Sequence, residues 1–472
     1  MRMPPLRCIH AVALALLALT FAGTLPACSA TTSSDGGGDG GGGGGGGGGG
    51  TLSFSSANCP PATQGQTYSC TLTAAGGTAP YTFSVLSASD HADLPEGMAL
   101  DRATGGIEST RVGGQGTYVS RVQVTDHAGN TSAVDVIFAV SGSNAFLASI
   151  FPASSIFHHR VDAASTGLPV DTSPAAPIYS GYQSSHLRVF FGAADYLGLP
   201  NGIPAIDVPA DQALVPVDTT VYQHYFTSGP IPPYAPVEGT ALSTDGDRHV
   251  LVYRRAGGST SAALYEMWQG EFLGASGWTD SSNALWPDVS GNALTPQEEG
   301  TADAAGLPIA PLLLNADEVI GAGTPSAPSG AVHHPVRFTA NHMLNYWVWP
   351  ATETAGVGSC DSLSVGTRLS QSSPPANCTM SGPAGEIYRL KASAADPPCA
   401  ASSPQARIVI EGFRNYGIIL ADNGLTGGLI GTPDARWNDD DLSCLTVLTL
   451  GDFEPVNVSS LMVDPASGAT TR

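Results

Sequence analysis

The chain has 472 residues, of which 12% are charged, with 40 acidic against 18 basic side chains and a net charge of -22. That balance excludes nucleic acid and anionic polysaccharide as broad electrostatic partners, since binding either requires a surplus of positive charge. A chain of this length exceeds one usual domain and can bury at least two cores.

Arg2 and Arg7 precede an apolar stretch from Ala11 to Leu25. It is long enough for a signal h-region and shorter than the ~20 residues of a membrane-spanning helix. The run Leu25, Pro26, Ala27, Cys28 resembles a bacterial lipobox, and the resemblance implies cleavage before Cys28 and lipidation of its thiol. Ser29 resembles the sorting signal for the outer membrane. The alternative is an ordinary signal cut nearby, which leaves Cys28 as an exposed thiol, a liability on an exported chain. Residues 1–28 are thus expected to be a lipoprotein signal peptide. Residues 29–50 end in eleven consecutive glycines, a flexible linker with a reach of roughly 25 Å. The expected location is the cell envelope, lipid-anchored to the outer membrane and facing outward, with outer-membrane lipid as the partner of Cys28.

Residues 51–143 read as an Ig-like β-sandwich. Short β-rich runs, among them "TYSCTLTA", "GTYVSRVQVTD" and "AVDVIFAVS", alternate with Gly, Pro, Asn and Asp clusters, and Val122, Val124, Val134 and Val136 fall at period two. The stretch "LPEGMALDRATGGIEST" followed by "GTYVSRVQVTDHAGNTS" resembles the putative-Ig, cadherin-like modules of bacterial surface proteins. The chain departs from their pattern at Glu108, Ser109 and Thr110 and in carrying Cys59 and Cys70. The resemblance implies a spacer or a binding unit. Asp101 and Asp126 are expected to bond their own turns, with calcium as the rival reading.

Residues 144–472 read as a larger β-rich body with a few helices, so the fold class expected for the whole chain is mainly β. One helix is predicted from a capping box at Thr295, Pro296 and Glu298. A second runs from Ser403 and Pro404 through "QARIVIEGFRNYG", with Val409, Ile410, Phe413 and Tyr416 on one face and Gly417 as the stop. "IILADNG" then reads as a buried strand that releases Asp422, Asn423 and Gly424 at its end. Cys8 leaves with the signal, so six cysteines remain once Cys28 is set aside. An even number in an exported chain reads as disulfides, and neighbours in sequence are expected to pair, Cys59 with Cys70, Cys360 with Cys378 and Cys399 with Cys444, among fifteen possible connectivities. No CxxC or HExxH spacing suggests zinc.

No G-x-S-x-G elbow and no P-loop or dinucleotide pattern occurs, which removes the common serine hydrolase and nucleotide signatures. Polar residues cluster instead in five places. "DGDRHVLVYRR" and "LYEMWQGEF" read as a hairpin that carries Asp247, Arg248 and His249 on one side and Glu266 on the other. "GTADAAGLPIAPLLLNADEVIGAG" offers Asp303, Asp317 and Glu318. "AVHHPVRFT" offers His333, His334 and Arg337, and "ILADNGLTGGLIGTPDARWNDDDL" offers Asp422, Asn423, Asp434, Trp437 and Asp439. A carboxylate beside an aromatic residue in a cleft is how sugar-cleaving sites raise a pKa and stack a pyranose. The expected catalytic groups are therefore Asp422, Glu266, His334 and His249, with Trp437, Asn423, Arg337, Arg248, Asp303 and Glu318 on the substrate. Each has a plainer reading as a satisfied core group, a cap or a solvated charge. The blocks "DRHVLV", "LYE", "ADAAGLPIAPLL", "DEV", "HHPVRFT", "YGIILADNG" and "PDARWNDDDL" resemble, in this order, a family of uncharacterised exported bacterial proteins over most of Gly239 to Leu445. The chain departs from that pattern at His334-Pro335 and in "LTGGLIG". The resemblance implies no reaction.

The function expected is a surface-anchored carbohydrate-active enzyme, a glycoside hydrolase or polysaccharide lyase acting on an extracellular glycan. The alternative is a non-catalytic adhesin or glycan-binding lipoprotein. A monomer is expected with no cofactor, calcium remaining open, and no nucleic acid partner.

Overall fold

The computed structural model describes residues 50–472 apart from 87–92, 174, 175, 177, 179, 197, 223, 240–245, 297–299, 342, 345, 346, 356–381 and 472. The signal segment, Cys28 and residues 29–49 of the linker lie outside the described residues, as do Glu298 and the cysteines Cys360 and Cys378. The helix predicted from Thr295 is not formed among the described residues: Thr295, Pro296 and 300–308 are non-helical, and the Thr295 hydroxyl donates to Gly306 O across the following loop.

The first 90 or so described residues form a β-sandwich. One sheet orders Ala62–Thr63, Thr131–Ser141, Gly116–Thr125 and Thr82–Leu86, and the other Tyr68–Thr71, Gly106–Ser109 and Ala99–Leu100. Along Gly116–Thr125 buried and half-buried positions alternate without a break, which is the period-two pattern the valines predict. Tyr118, Val122, Val124, Val136 and Phe138 thereby join Leu72, Phe83 and Ile107 in one core. Cys59 and Cys70 are bonded. Asp101 accepts hydrogen bonds from the backbone N–H of Ala103 and Thr104, and Asp126 from that of Thr78 and Asn130, so both aspartates hold turns.

The larger body holds three main sheets. Two are four-stranded. Ala205–Val208, Val250–Arg254, Ala263–Trp268 and Ser282–Trp286 form one. Ser228–Gly229, Val215–Thr219, Trp278–Asp280 and Glu271–Phe272 form the other. Val250, Val252, Tyr265 and Met267 face the core between these two sheets, whereas Leu251, Tyr253 and Leu264 face the opposite core. The strand Ala263–Trp268 is thus buried on both sides, and Glu266, on the Leu264 face, is carried into the protein interior.

The third sheet is mixed and six-stranded, in the order Arg188–Phe190, Gly428–Ile430, Val336–Ala340, Ile418–Asn423, Ile387–Leu390, Phe453–Pro455. Its central pair, Val336–Ala340 and Ile418–Asn423, runs parallel, with Val336 opposite Ile418 and Thr339 opposite Asp422. A parallel pair needs a crossover. The helix Pro404–Asn415, ending just before Ile418, belongs to it and buries Val409, Ile410 and Phe413, the predicted face. Gly417 follows at φ 81°, where a side chain is strained. The disulfide Cys399–Cys444 clamps the approach to this helix.

Candidate functional site

The expected hairpin exists, with Val250 opposite Met267 and Arg254 opposite Ala263. Its open end brings Asp247 to the end of the second strand, where the indole N–H of Trp268 donates to Asp247 Oδ1 at 3.0 Å. The C-terminal end of Ile418–Asn423 reaches the same place. Between them lies a cleft of ≈ 490 Å³ lined by His249, Asp303, Asp422 and Asn423 from the predicted set, and by Asp247, Trp268, Tyr222 and Glu353.

Arg337 is the pivot. Its guanidinium is 1% exposed and holds a carboxylate on each terminal nitrogen, Asp303 Oδ2 at 2.9 Å from Nη1 and Asp422 Oδ2 at 3.4 Å from Nη2. Asp303 is further fixed by the backbone N–H groups of Ala305 and Leu307, which donate to Oδ1 at 2.9 and 3.0 Å. Asp422 keeps one foot in the cleft, with 18% of its side chain exposed. Burial pushes its pKa up to about 7, despite the opposing charge of Arg337 and with the help of Asp303 and Asp247. Gly424 lets the turn after it lie flat on the sheet, because a Cβ there would stand 3.0 Å from the side chain of Thr339.

His249 is 2% exposed, with Nδ1 2.6 Å from Glu238 Oε2 and Nε2 3.2 Å from the carbonyl of Ala302. Both ring nitrogens face oxygens. Burial alone lowers its pKa, but the charge of Glu238 and the hydrogen bond to it outweigh burial and raise it to about 9. At neutral pH this ring is an imidazolium that bridges Glu238 to the loop carrying Asp303. Glu353 adds a carboxyl that sequence patterns do not flag, in "WPATET". Its Oε2 accepts from Gly300 N at 2.7 Å, its Oε1 is buried without a hydrogen-bond partner among the described residues, and burial raises its pKa. Trp268 and Tyr222, 6.1 Å apart between ring centroids, form an aromatic wall.

The other predicted residues fall elsewhere. Glu266 does not line the cleft. It is 0% exposed and its two oxygens accept from the backbone N–H of Ile309 and Ala310 at 2.9 and 2.8 Å, so it caps the short turn Ala310–Leu312. Burial raises its pKa to about 7, against those two bonds. His334 and Glu318 pair with each other at 3.1 Å just ahead of Val336, at the opposite end of the strand from Thr339 and Asp422. Glu318 also completes a capping box with Asn315 on Ala316–Ile320. Trp437 is 4% exposed, packs on Phe191 and donates its indole N–H to Thr432 O, which removes it as a stacking platform. Arg248, at φ 48°, donates to Gly270 O and locks the hairpin end outside the cleft. Asn423 lines the cleft as a strut, its amide bonded to Met343 N and Ala355 O.

Chemically, the cleft sets a carboxyl poised near neutrality among further carboxylates, with both cations, Arg337 and His249, already engaged by acids. No curated protein matches the chain. Among solved structures, four extracellular cadherin domains of protocadherin gamma B7 align at 21% identity over 27% of this chain and 30% of that one, with a TM-score of 0.17. The chain thus spans under a third of that structure, and a score so low carries no argument about fold. The family described as "Putative Ig domain" matches residues 51–141, and that stretch of the chain is an Ig-like module.

Proposed function

We propose that the protein is an envelope lipoprotein, anchored through Cys28, whose larger body hydrolyses an extracellular glycan in the Asp422 cleft. The observation that carries this reading is a carboxyl with a pKa of about 7, open to a cleft that also holds Asp247 and an aromatic wall. Such a group is still partly protonated at neutral pH, which is the condition for a general acid. Asp422 would give its proton to the glycosidic oxygen. Asp247, exposed and steered by the indole of Trp268, would take a proton from the attacking water. Arg337 and Asp303 hold Asp422 in position, and Trp268 with Tyr222 offers ring faces to a sugar.

The lining also favours hydrolysis over lyase chemistry on uronates. Four carboxyl groups, Asp247, Asp303, Glu353 and Asp422, line the cleft, and no uncommitted cation among the described residues lines it to receive a sugar carboxylate. Neutral glycans are therefore the expected substrates. The test is reducing-sugar release by the mature chain from neutral and uronate-containing glycans, with the pH profile recorded. Asp422→Asn should lower kcat by roughly 10²- to 10⁴-fold with little change in binding, and the wild-type profile should show an alkaline limb near 7. Glycan binding without release, unchanged in Asp422→Asn, would make the protein an adhesin instead.

A further inference from the structure

A second cavity, of ≈ 220 Å³, lies where Ile387–Leu390 and Phe453–Pro455 meet the segment at Val348 and Trp349, and it shares no lining residue with the cleft. Its walls are largely carbon, from Val348, Trp349, Ile387, Val456, Val458 and Met462. The indole N–H of Trp349 is already bonded to Ser467 O at 2.9 Å, so what this residue has left to offer is its ring.

Among those walls stands Glu386, 3% exposed, with Oε1 buried and without a hydrogen-bond partner among the described residues. Two other polar groups of the lining are engaged in their own turns. Asp171 Oδ1 accepts from Ser173 N at 2.7 Å, and Asn457 Oδ1 accepts from the N–H and hydroxyl of Ser459 at 3.0 and 2.6 Å. Burial, helped by the charge of Asp171, raises the pKa of Glu386 well above the ordinary range. A buried carboxyl near another acid, with no donor supplied among the described residues, keeps its proton, and a cation arriving beside it would let it ionise and release that proton to solvent.

We infer that this cavity is a binding site for a small organic cation, a primary or quaternary ammonium with a short apolar body. The charge would sit against Glu386 and Asp171, and the carbons against Trp349 and the aliphatic wall, where a ring face attracts a cation. A calcium ion fits less well, because it takes six to eight oxygen ligands and most of this lining is hydrocarbon. A neutral sugar would bring no charge to exchange for the proton of Glu386.

The test is calorimetric titration of the mature protein with butylammonium and tetramethylammonium chloride, with butanol and calcium chloride as comparisons. Saturable one-to-one binding of at least one ammonium is expected, at least tenfold weaker in Glu386→Gln and in Asp171→Asn and unchanged in Asp422→Asn. Asp171→Asn, at a half-buried position, carries the test if Glu386→Gln does not fold. Butanol binding as well as butylammonium, calcium binding where neither ammonium does, or undiminished ammonium binding in both variants would each overturn the inference. So would the lack of any saturable ammonium binding. Because Asp422 takes no part in this cavity, failure here leaves the glycan reading of the cleft untouched, and the reverse also holds.

Discussion

At Asp422 the folded protein holds a carboxyl near 7 that an unfolded chain would titrate near 4, and Glu266 is displaced in the same way. His249 is raised from 6.5 to about 9. All three shifts are upward, so between about pH 4 and pH 9 the native state binds more protons than the unfolded one. Stability from these groups is full on the acid side of that window and is lost as pH rises through each folded value. The urea midpoint at pH 5 should therefore exceed that at pH 8.5. Asp422→Asn should flatten the part of the slope between about 4 and 7 while leaving the part set by His249. A midpoint that climbs with pH over this range would rule out the electrostatics described for the cleft. The sequence pointed to Asp422 and His249 because a strand ends at one and begins at the other, and to Asp303 and Arg337 as polar residues set in apolar blocks. It could not say which end of which strand faces the cleft. That is why His334 and Glu318, of the same residue types, turned out to pair with each other at the far end of the same sheet.

Elements explain the rest of the difference. The helix Pro404–Asn415 was legible because every signal in it is local: proline at its first turn, a 3.6-residue apolar face, and a glycine where the chain must reverse. The six-stranded sheet was not, because its order joins Arg188–Phe190 to Gly428–Ile430 across more than two hundred residues, and nothing in either short strand names its partner. Glu266 shows the cost of that blindness. An acid in "LYEMW" signals a special role, yet catalysis and capping leave the same mark until the turn at Ala310–Leu312 is known to sit over it. Capping makes a distinct prediction. Glu266→Gln replaces one acceptor by an N–H₂ that faces a backbone N–H, so one buried donor loses its partner, at a cost of about 1–3 kcal/mol. Thermal unfolding should reveal that loss, while kcat at a temperature well below the transition stays within a few-fold of wild type. A normal melting temperature with abolished turnover would return Glu266 to the chemistry.

At the scale of the whole chain, the Ig-like module is expected from its family to be a spacer or a binding unit, and residues 49–472 form one compact unit. The reason lies in three glycines of the run Gly113-Gly114-Gln115-Gly116. A Cβ on Gly113 would run into the carbonyl of Tyr234, one on Gly114 would meet Pro236, and one on Gly116 would stand 2.6 Å from Pro200. In sequence these glycines read as a turn, whereas their use is close approach between module and body. Around them Arg111 donates to the hydroxyl of Tyr234 at 3.1 Å, Thr117 to Ala193 O at 2.9 Å and Val119 N to Gly198 O at 2.9 Å. These bonds, from Arg111 ahead of the strand Gly116–Thr125 and from Thr117 and Val119 at its start, tie the module's own sheet to the body. Domains sharing a tight contact of this sort should lose it only by unfolding together. Calorimetry of the mature chain should then show one cooperative transition spanning both parts. Gly113→Ala, which forces the two surfaces apart, should split that transition or lower all of it. Two transitions in the wild type, with Gly113→Ala moving neither, would mean that the module rides on the body as an independent bead and contributes nothing to holding the cleft.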